Sequence, residues 1–274
     1  KYQKNHFNLL PLRAEFLIVM ELLDAAPEIP WSGNGGRANF ILTESNYMER
    51  QYLKEGIKKE KIVLTVALYN DVLSDVSKNR KHYYEKFCIK HGLDSNKPMV
   101  LTSFPIYLEK FMVKALEFTT YEDFVQFYID CLVKINIKYN IVISIHPRMY
   151  AEHISGLYNP RIIIADERLE NLMPLCKFFI NCGSTTTRWA IACTKPTINY
   201  DFYRLNSDIF TVNEGVVTVN TTIDFEKTLH QMCYNFKYYK NLKQKQEKLR
   251  PQFGLLDGGV SERMLHFFES IVPN

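Results

Sequence analysis

Two short clusters in the sequence have residue types suited to holding an anion. His146-Pro147-Arg148 ends the apolar run "IVISIH", and Gly183-Ser184-Thr185-Thr186 ends the run "KFFINC". An imidazole and a guanidinium two residues apart supply hydrogen-bond donors and a permanent planar cation that matches phosphate or carboxylate. Pro147 fixes the turn between them and has no N–H to satisfy. Gly183 lets the backbone approach a ligand closely, and the three hydroxyl residues after it can present amides and O–H groups at a helix start, as phosphate nests do. Each cluster also has a plainer reading. A Ser/Thr run before an apolar helix serves as an N-cap, a histidine at a strand end satisfies a local hydrogen bond, and a lone arginine faces solvent. A shared ligand site is favoured because both clusters fall at the same edge of one sheet.

That sheet is read from the alternation of elements beyond residue 98. The stretches 98–104, 141–146, 161–166, 177–182 and 196–200 are continuous apolar runs, the pattern of strands covered on both faces. Between them, 120–139, 151–157, 167–176 and 185–193 have helical spacing, so the alternation predicts an α/β class with a parallel sheet wrapped by helices. Ligands of such sheets bind outside the carboxyl ends of the strands. Ser103, at the end of "LTSFP", would face the same crevice or simply turn the chain. "NYDFYR" places Asn199, Tyr200, Asp201 and Tyr203 at that edge too, with packing against a neighbouring domain as the alternative for the aromatics.

Upstream, "ANFILTES" predicts a strand and "NYMERQYLKEG" a helix capped by Ser45 or Asn46 and stopped at Gly56, with "KIVLTVAL" as a second strand. The apolar stretch 14–26 is ambiguous, and the glycine-rich "WSGNGGR" (31–37) lacks either phosphate-loop spacing and reads as a flexible loop. The polar segment 70–97 reads as a link between two halves. The expected organisation is therefore a partial or reduced Rossmann-like domain over residues 1–92 and a complete one over 93–274. The last fifty residues are helical, with Ser261 as the expected cap of the final helix.

Composition narrows the function classes. The 274 residues are 46% hydrophobic, enough for a sizeable core, and 34 basic against 30 acidic residues leave a net charge of only +4. So weak and dispersed a charge argues against a nucleic-acid partner. Six cysteines lack metal-ligand or paired spacing and mostly lie in apolar stretches, which points to reduced, buried thiols, a cytoplasmic setting and no metal. No apolar run reaches the ~18–20 residues that span a bilayer. The chain begins with Lys1, so an upstream segment is expected. The basic stretch "KYYKNLKQKQEKLR" (237–250) could make peripheral contact with an anionic membrane surface, the inner membrane face being the expected place; a solvated helix face is the competing reading.

On these residues the chain resembles GT-B glycosyltransferases over about 38–272. "ESNYMERQYLKEGIKKEKIVLT" is similar to the segment before their interdomain linker. "IHPR" and "ERLENLMPLCKFFINCGSTTTRWAIACTKPTINYDFY" resemble their nucleotide-binding core, and "DGGVSERMLHFFESIV" their closing helix. The His146-Pro147 pair with the Ser/Thr cluster resembles bacterial sialyltransferases and related capsule enzymes, and the same core is similar to the non-hydrolysing UDP-N-acetylglucosamine 2-epimerases. The resemblance implies a GT-B-like fold and transfer of a sugar from a CMP- or UDP-type donor to a glycan or lipid-linked acceptor, with Ser103, His146, Arg148, Gly183, Ser184, Thr185 and Thr186 on the donor. No cofactor beyond the donor is implied. The acidic triplet of the sialyltransferases is absent from 1–97, and the epimerases' Ser-Gly-Gly with paired glutamates is replaced by a run leading to Arg188 and Trp189. Glu21, Asp24, Glu28 and Glu44 are the candidate bases for the acceptor hydroxyl. With no DxD-like pair at a strand end, metal-independent chemistry is expected. An epimerase or hydrolase, and a non-catalytic nucleotide-binding protein, are the alternatives.

Overall fold

The computed structural model describes residues 38–107, 112, 117–146, 149, 159–205 and 210–271. The stretches 14–26 and 31–37, the expected helix over 151–157, and the residues Glu21, Asp24, Glu28, Pro147 and Arg148 lie outside these. The chain divides into two compact units, Lys1–Thr65 and Val66–Asn274.

In the first unit, β1 (Ile41–Thr43) and β2 (Ile62–Leu64) pair in parallel, with Ile41 opposite Ile62 and Thr43 opposite Leu64. The helix between them, α1 (Asn46–Lys54), starts where the sequence places it: the Ser45 hydroxyl accepts the Met48 N–H at 3.2 Å. Gly56 follows its last turn in the left-handed region, at φ 79°.

The second unit begins with α2 (Tyr69–Lys78) and α3 (Arg80–His91), so the segment expected to be a link is two helices. Their apolar residues Leu73, Val76, Tyr84, Phe87 and Cys88 are buried with Met99, Leu101, Val142 and Phe179 of the large sheet. This burial moves the boundary from the expected 92/93 to 65/66, because helices that cover a sheet belong to the unit that owns it.

That sheet has six strands: β3 (Met99–Ser103), β4 (Asn140–Ser144), β5 (Ile162–Ala165), β6 (Cys176–Asn181), β7 (Thr197–Tyr200) and β8 (Val216–Val219). All are parallel, in the order β5-β4-β3-β6-β7-β8. One face is covered by α4 (Tyr121–Ile135), α7 (Thr222–Tyr234) and α8 (Phe236–Leu249), the other by α2, α3, the short α5 (Leu169–Leu172) and α6 (Thr187–Ala192). Alternate residues of one strand serve opposite faces, as a pleated strand requires: Val100 joins the α4 side and Leu101 the α2 side. Tyr200, Phe202 and Tyr203 pack in the core of their own unit, with Phe202 stacked on Phe124 at 3.8 Å and Tyr200 on Phe225 at 4.3 Å. Packing of these rings on a neighbouring domain is thereby corrected, since the large apolar rings have a nearer partner in α4 and α7.

The edge strand β8 was not evident from the sequence. It follows Gly215, at φ 73°, where a Cβ would lie 2.4 Å from Gln246 Cγ and 2.6 Å from the Leu242 carbonyl oxygen. Glycine there lets α8 lie directly on the strand entry, and Gln246 donates to the carbonyls of Lys195 and Gly215. Its buried face leaves Lys237, Lys240 and Lys248 of α8 exposed. No helix among the described residues is long and apolar enough to cross a membrane.

The final helix, α9 (Val260–Ile271), is capped by a residue from a different element than expected. Asp71 of α2 accepts the N–H groups of Val260 and Ser261, both at 2.9 Å, and the Ser261 hydroxyl at 2.8 Å. Ser261 thus sits inside the cap and donates to it. Burial alone would raise the Asp71 carboxyl, but these donors outweigh it and hold it below the usual carboxylate range. A depressed native pKa gives stability that is present above the ordinary value and lost as pH falls through the native one. Asp71→Ala is expected to lower unfolding stability by about 1–2 kcal/mol at neutral pH, the range of lost caps. Denaturant titrations at pH 7 and below pH ~4 should show that deficit shrinking in acid.

Candidate functional site at the carboxyl edge of the large sheet

The strand order reverses between β3 and β6: the chain steps outward to β4 and β5 on one side and to β7 and β8 on the other. In open parallel sheets the carboxyl ends of the strands at such a reversal are the usual ligand position. Ser103 closes β3, half-buried and opposite Ser144 of β4. His146 lies two residues beyond β4, half-buried, and Gly183 lies two residues beyond β6. With neighbouring strands about 4.8 Å apart, the ends of β4 and β6 are about 10 Å apart across β3. The sheet thus brings Ser103, His146 and Gly183–Thr186 to one edge.

Direct contacts join these loops. The Tyr203 hydroxyl, after β7, donates to the Ile106 carbonyl, after β3, at 2.8 Å. The Tyr107 N–H reaches Met149 Sδ at 3.4 Å. The Gly183 N–H donates to Asn199 Oδ1, at the end of β7, at 2.8 Å.

The Gly183–Thr187 turn differs from a simple helix start. Thr186 precedes α6 and makes no side-chain cap; the cap-like bond of the run is made one turn earlier by Ser184, so the plain N-cap reading holds for Ser184 alone. The amides of Thr187, Arg188 and Trp189 donate to the carbonyls of Ser184, Thr185 and Thr186, and the Thr186 amide donates to Ser184 Oγ. The expectation of outward-pointing helix amides is thereby corrected, because the tight turn uses them itself. Two remain: among the described residues the amides of Ser184 and Thr185 have no acceptor. The Ser184 carbonyl points inward, taking the Thr187 N–H at 3.1 Å and the Thr187 hydroxyl at 2.8 Å. In a planar trans peptide the N–H lies opposite the C=O, so the Thr185 amide points away from those partners. Ser184 Oγ and Thr186 Oγ1 are 2.7 Å apart, which uses one of their two protons and leaves the other for an acceptor. The exposed Thr185 hydroxyl adds a further donor.

Two buried amides contribute, of which the sequence reading placed Asn199 at this edge and missed Asn181. Asn181 Nδ2 donates to Thr187 Oγ1 at 2.6 Å, and Asn199 supports Gly183. The available signal was an Ile-Asn pair ending both "KFFINC" and "PTINY", polar residues within otherwise apolar runs. Cys182 precedes Gly183, but burial, and then the nearby Asp201 carboxylate, push its thiol far up, so it is no nucleophile. The other five cysteines are also free and buried, with the Cys131, Cys193 and Cys233 thiols pushed up to about 12 by burial.

Among the candidate bases only Glu44 is described, half-buried just past β1 in the first unit. One described group could hold a metal ion: His91, Asp166 and Glu167, with ligating atoms within 4.8 Å of one another. Lys90 donates to Asp166 at 2.8 Å and to Glu167 at 2.7 Å, so an ammonium already occupies this cluster and offsets part of its charge.

No protein-family model matches the chain, and no curated protein matches its sequence. Solved structures do. The wall teichoic acid polymerase TagF aligns with TM-score 0.64 at 15% identity, over 86% of this chain and 58% of that one. UDP-GlcNAc 2-epimerase from Neisseria meningitidis, bound to UDP-GlcNAc, aligns with TM-score 0.53 at 13% identity, over 85% and 62%. S. aureus MnaA with UDP aligns with TM-score 0.52 at 14% identity, over 87% and 63%. The fold is GT-B-like. The chain spans less than two thirds of each of these structures.

Gly183 sits at φ 58°, and a Cβ there would meet Leu205 Cδ1 at 3.3 Å. Gly183→Ala is expected to lower unfolding stability by about 1–2 kcal/mol, the left-handed cost for a residue with a Cβ, read by thermal or denaturant unfolding.

Proposed function

We propose that the chain is the nucleotide-binding part of a glycosyltransferase that moves a sugar from a nucleotide-sugar donor to a glycan or lipid-linked acceptor. One observation carries this reading: the anion-suited turn at Gly183–Thr186 lies beside the strand-order reversal of a GT-B-type sheet, with His146 one strand away. The structural neighbours support it, since two were solved with UDP or UDP-GlcNAc and a third is TagF soaked with CDPG.

In this reading the Ser184 and Thr185 amides, the spare hydroxyl proton of the Ser184/Thr186 pair and the Thr185 hydroxyl bind the donor phosphate. They oppose the charge that develops as the sugar bond breaks, and fixed dipoles do this without reorganising during the reaction. His146 adds a donor from the β4 side, with Ser103 between, and Arg148, two residues further along the sequence, is the proposed cation. Glu44, with Glu21, Asp24 and Glu28, remains a candidate to take the proton of the acceptor hydroxyl. The reading needs neither a metal nor a cofactor beyond the donor. Surface-polysaccharide synthesis in the cytoplasm is the proposed setting, and the exposed lysines of α8 are the residues that would meet an anionic membrane.

A thermal-shift screen against CMP, CDP, UDP and GDP should show stabilisation by at least one. His146→Ala and Ser184→Ala should each weaken that nucleotide by about tenfold or more, as loss of a hydrogen bond to a charged group does, with little change in unfolding. Unchanged affinity in both would refute the assignment. The similarity to the Neisseria meningitidis UDP-GlcNAc 2-epimerase favours a second reading, nucleotide-sugar epimerisation or hydrolysis. Incubation with UDP-GlcNAc alone separates the two: transfer predicts an unaltered sugar and little UDP release, whereas an epimerised sugar or rapid release would favour the second.

A further inference from the structure

Asn181 and Asn199 are register partners at the ends of β6 and β7, 1% and 8% exposed. Buried amides in a strand are costly unless they are hydrogen-bonded, so each should have work that an apolar residue could not perform. Asn199 bonds at both ends of its amide: Oδ1 accepts the Gly183 N–H at 2.8 Å, and Nδ2 donates to Thr218 Oγ1 on the edge strand β8 at 3.2 Å.

The need arises at Gly183. At φ 58° the chain leaves the β6 ladder, and its N–H is satisfied by a side chain of the next strand rather than by a backbone carbonyl. Asn199 therefore holds the entrance of the turn, while Asn181, through Thr187, holds the Ser184 carbonyl. The Thr185 amide shares the peptide plane of the anchored Ser184 carbonyl, and the plane that carries the Ser184 amide lies between the two anchors. Fixing the anchored planes fixes where those N–H groups point.

We propose that Asn199 is a positioning residue: braced by Thr218, it holds the Gly183–Thr186 turn in the conformation that directs the Ser184 and Thr185 amides at a phosphate-bearing ligand. The proposal rests on the nucleotide reading above for the identity of the ligand, but not for the clamp. Asn199 itself need not touch the ligand.

The test uses the full chain with three variants and two independent readouts. Amide hydrogen exchange at Gly183 reports the clamp, and equilibrium affinity for CDP and UDP reports its consequence. Asn199→Ala removes the acceptor and should accelerate Gly183 exchange by about tenfold or more while the amides of β3 and β6 keep their protection. Asn199→Asp keeps one oxygen for Gly183 and another for the Thr218 hydroxyl, which can turn to donate, so it should restore Gly183 protection. Thr218→Val removes the brace only and should fall between the native chain and Asn199→Ala. Nucleotide affinity should drop in the same order for Asn199→Ala and Thr218→Val.

Unchanged Gly183 exchange in Asn199→Ala would overturn the proposal. So would acceleration spread evenly over β3 and β6, which would mark a general loss of stability, or failure of Asn199→Asp to restore protection. Exchange that follows the predicted series in a chain binding neither CDP nor UDP would support the clamp and count against the nucleotide reading.

Discussion

The pairing of β3 with β6 is the constraint on which the rest depends. Val100 opposite Phe178, Leu101 opposite Phe179 and Thr102 opposite Ile180 form the centre of the sheet, and all six residues are fully buried. The chain leaves this pair in opposite directions, and the segment after β7 returns toward the segment after β3, where the Tyr203 hydroxyl donates to the Ile106 carbonyl. The same pair feeds both apolar layers: Val100, Phe178 and Ile180 join one, and Leu101 and Phe179 the other. The edge that carries Ser103 and Gly183 is therefore attached to a fully buried strand pair, the kind of rigid support from which a binding site gains.

Around that centre, polar side chains are placed where the backbone runs out of ladder partners. Asp71 satisfies the first amides of α9, Asn199 the amide of Gly183, and Thr187 the carbonyl of Ser184. Each follows one rule, that a backbone group leaving regular structure must find a partner. The outcome at the Gly183 turn is selective. Most of its amides are used internally, and those left over belong to two adjacent residues, with hydroxyls beside them.

Strands β3 to β7 and α4 were legible because their long apolar runs and helical spacing carry their own signal. Ser45 was legible as one of two candidate caps of α1 by its residue type. What escaped depends on contacts distant in sequence. The 70–97 segment is lysine-rich, yet it hides an apolar stripe of Leu73, Val76, Phe87 and Cys88 that becomes meaningful only against the sheet. β8 is four residues long, with an exposed Thr218, and it is a strand because β7 pairs with it. Ser261 looked like a cap in isolation, but a carboxylate nearly two hundred residues earlier reaches the helix start. At the site, the residue types of the Gly183–Thr186 run were readable, whereas which of its amides stay available was fixed by Thr187 and Asn199.

The central claim is that the edge where β3 and β6 part holds the phosphate of a nucleotide. Mapping backbone amide shifts during titration with UDP and CDP tests it most directly. The account predicts that the largest shifts fall on Ser184, Thr185 and Thr186, with smaller ones near Ser103 and His146. Shifts centred on α7 and β8, or on the His91–Glu167 cluster, with residues 183–186 silent, would contradict it.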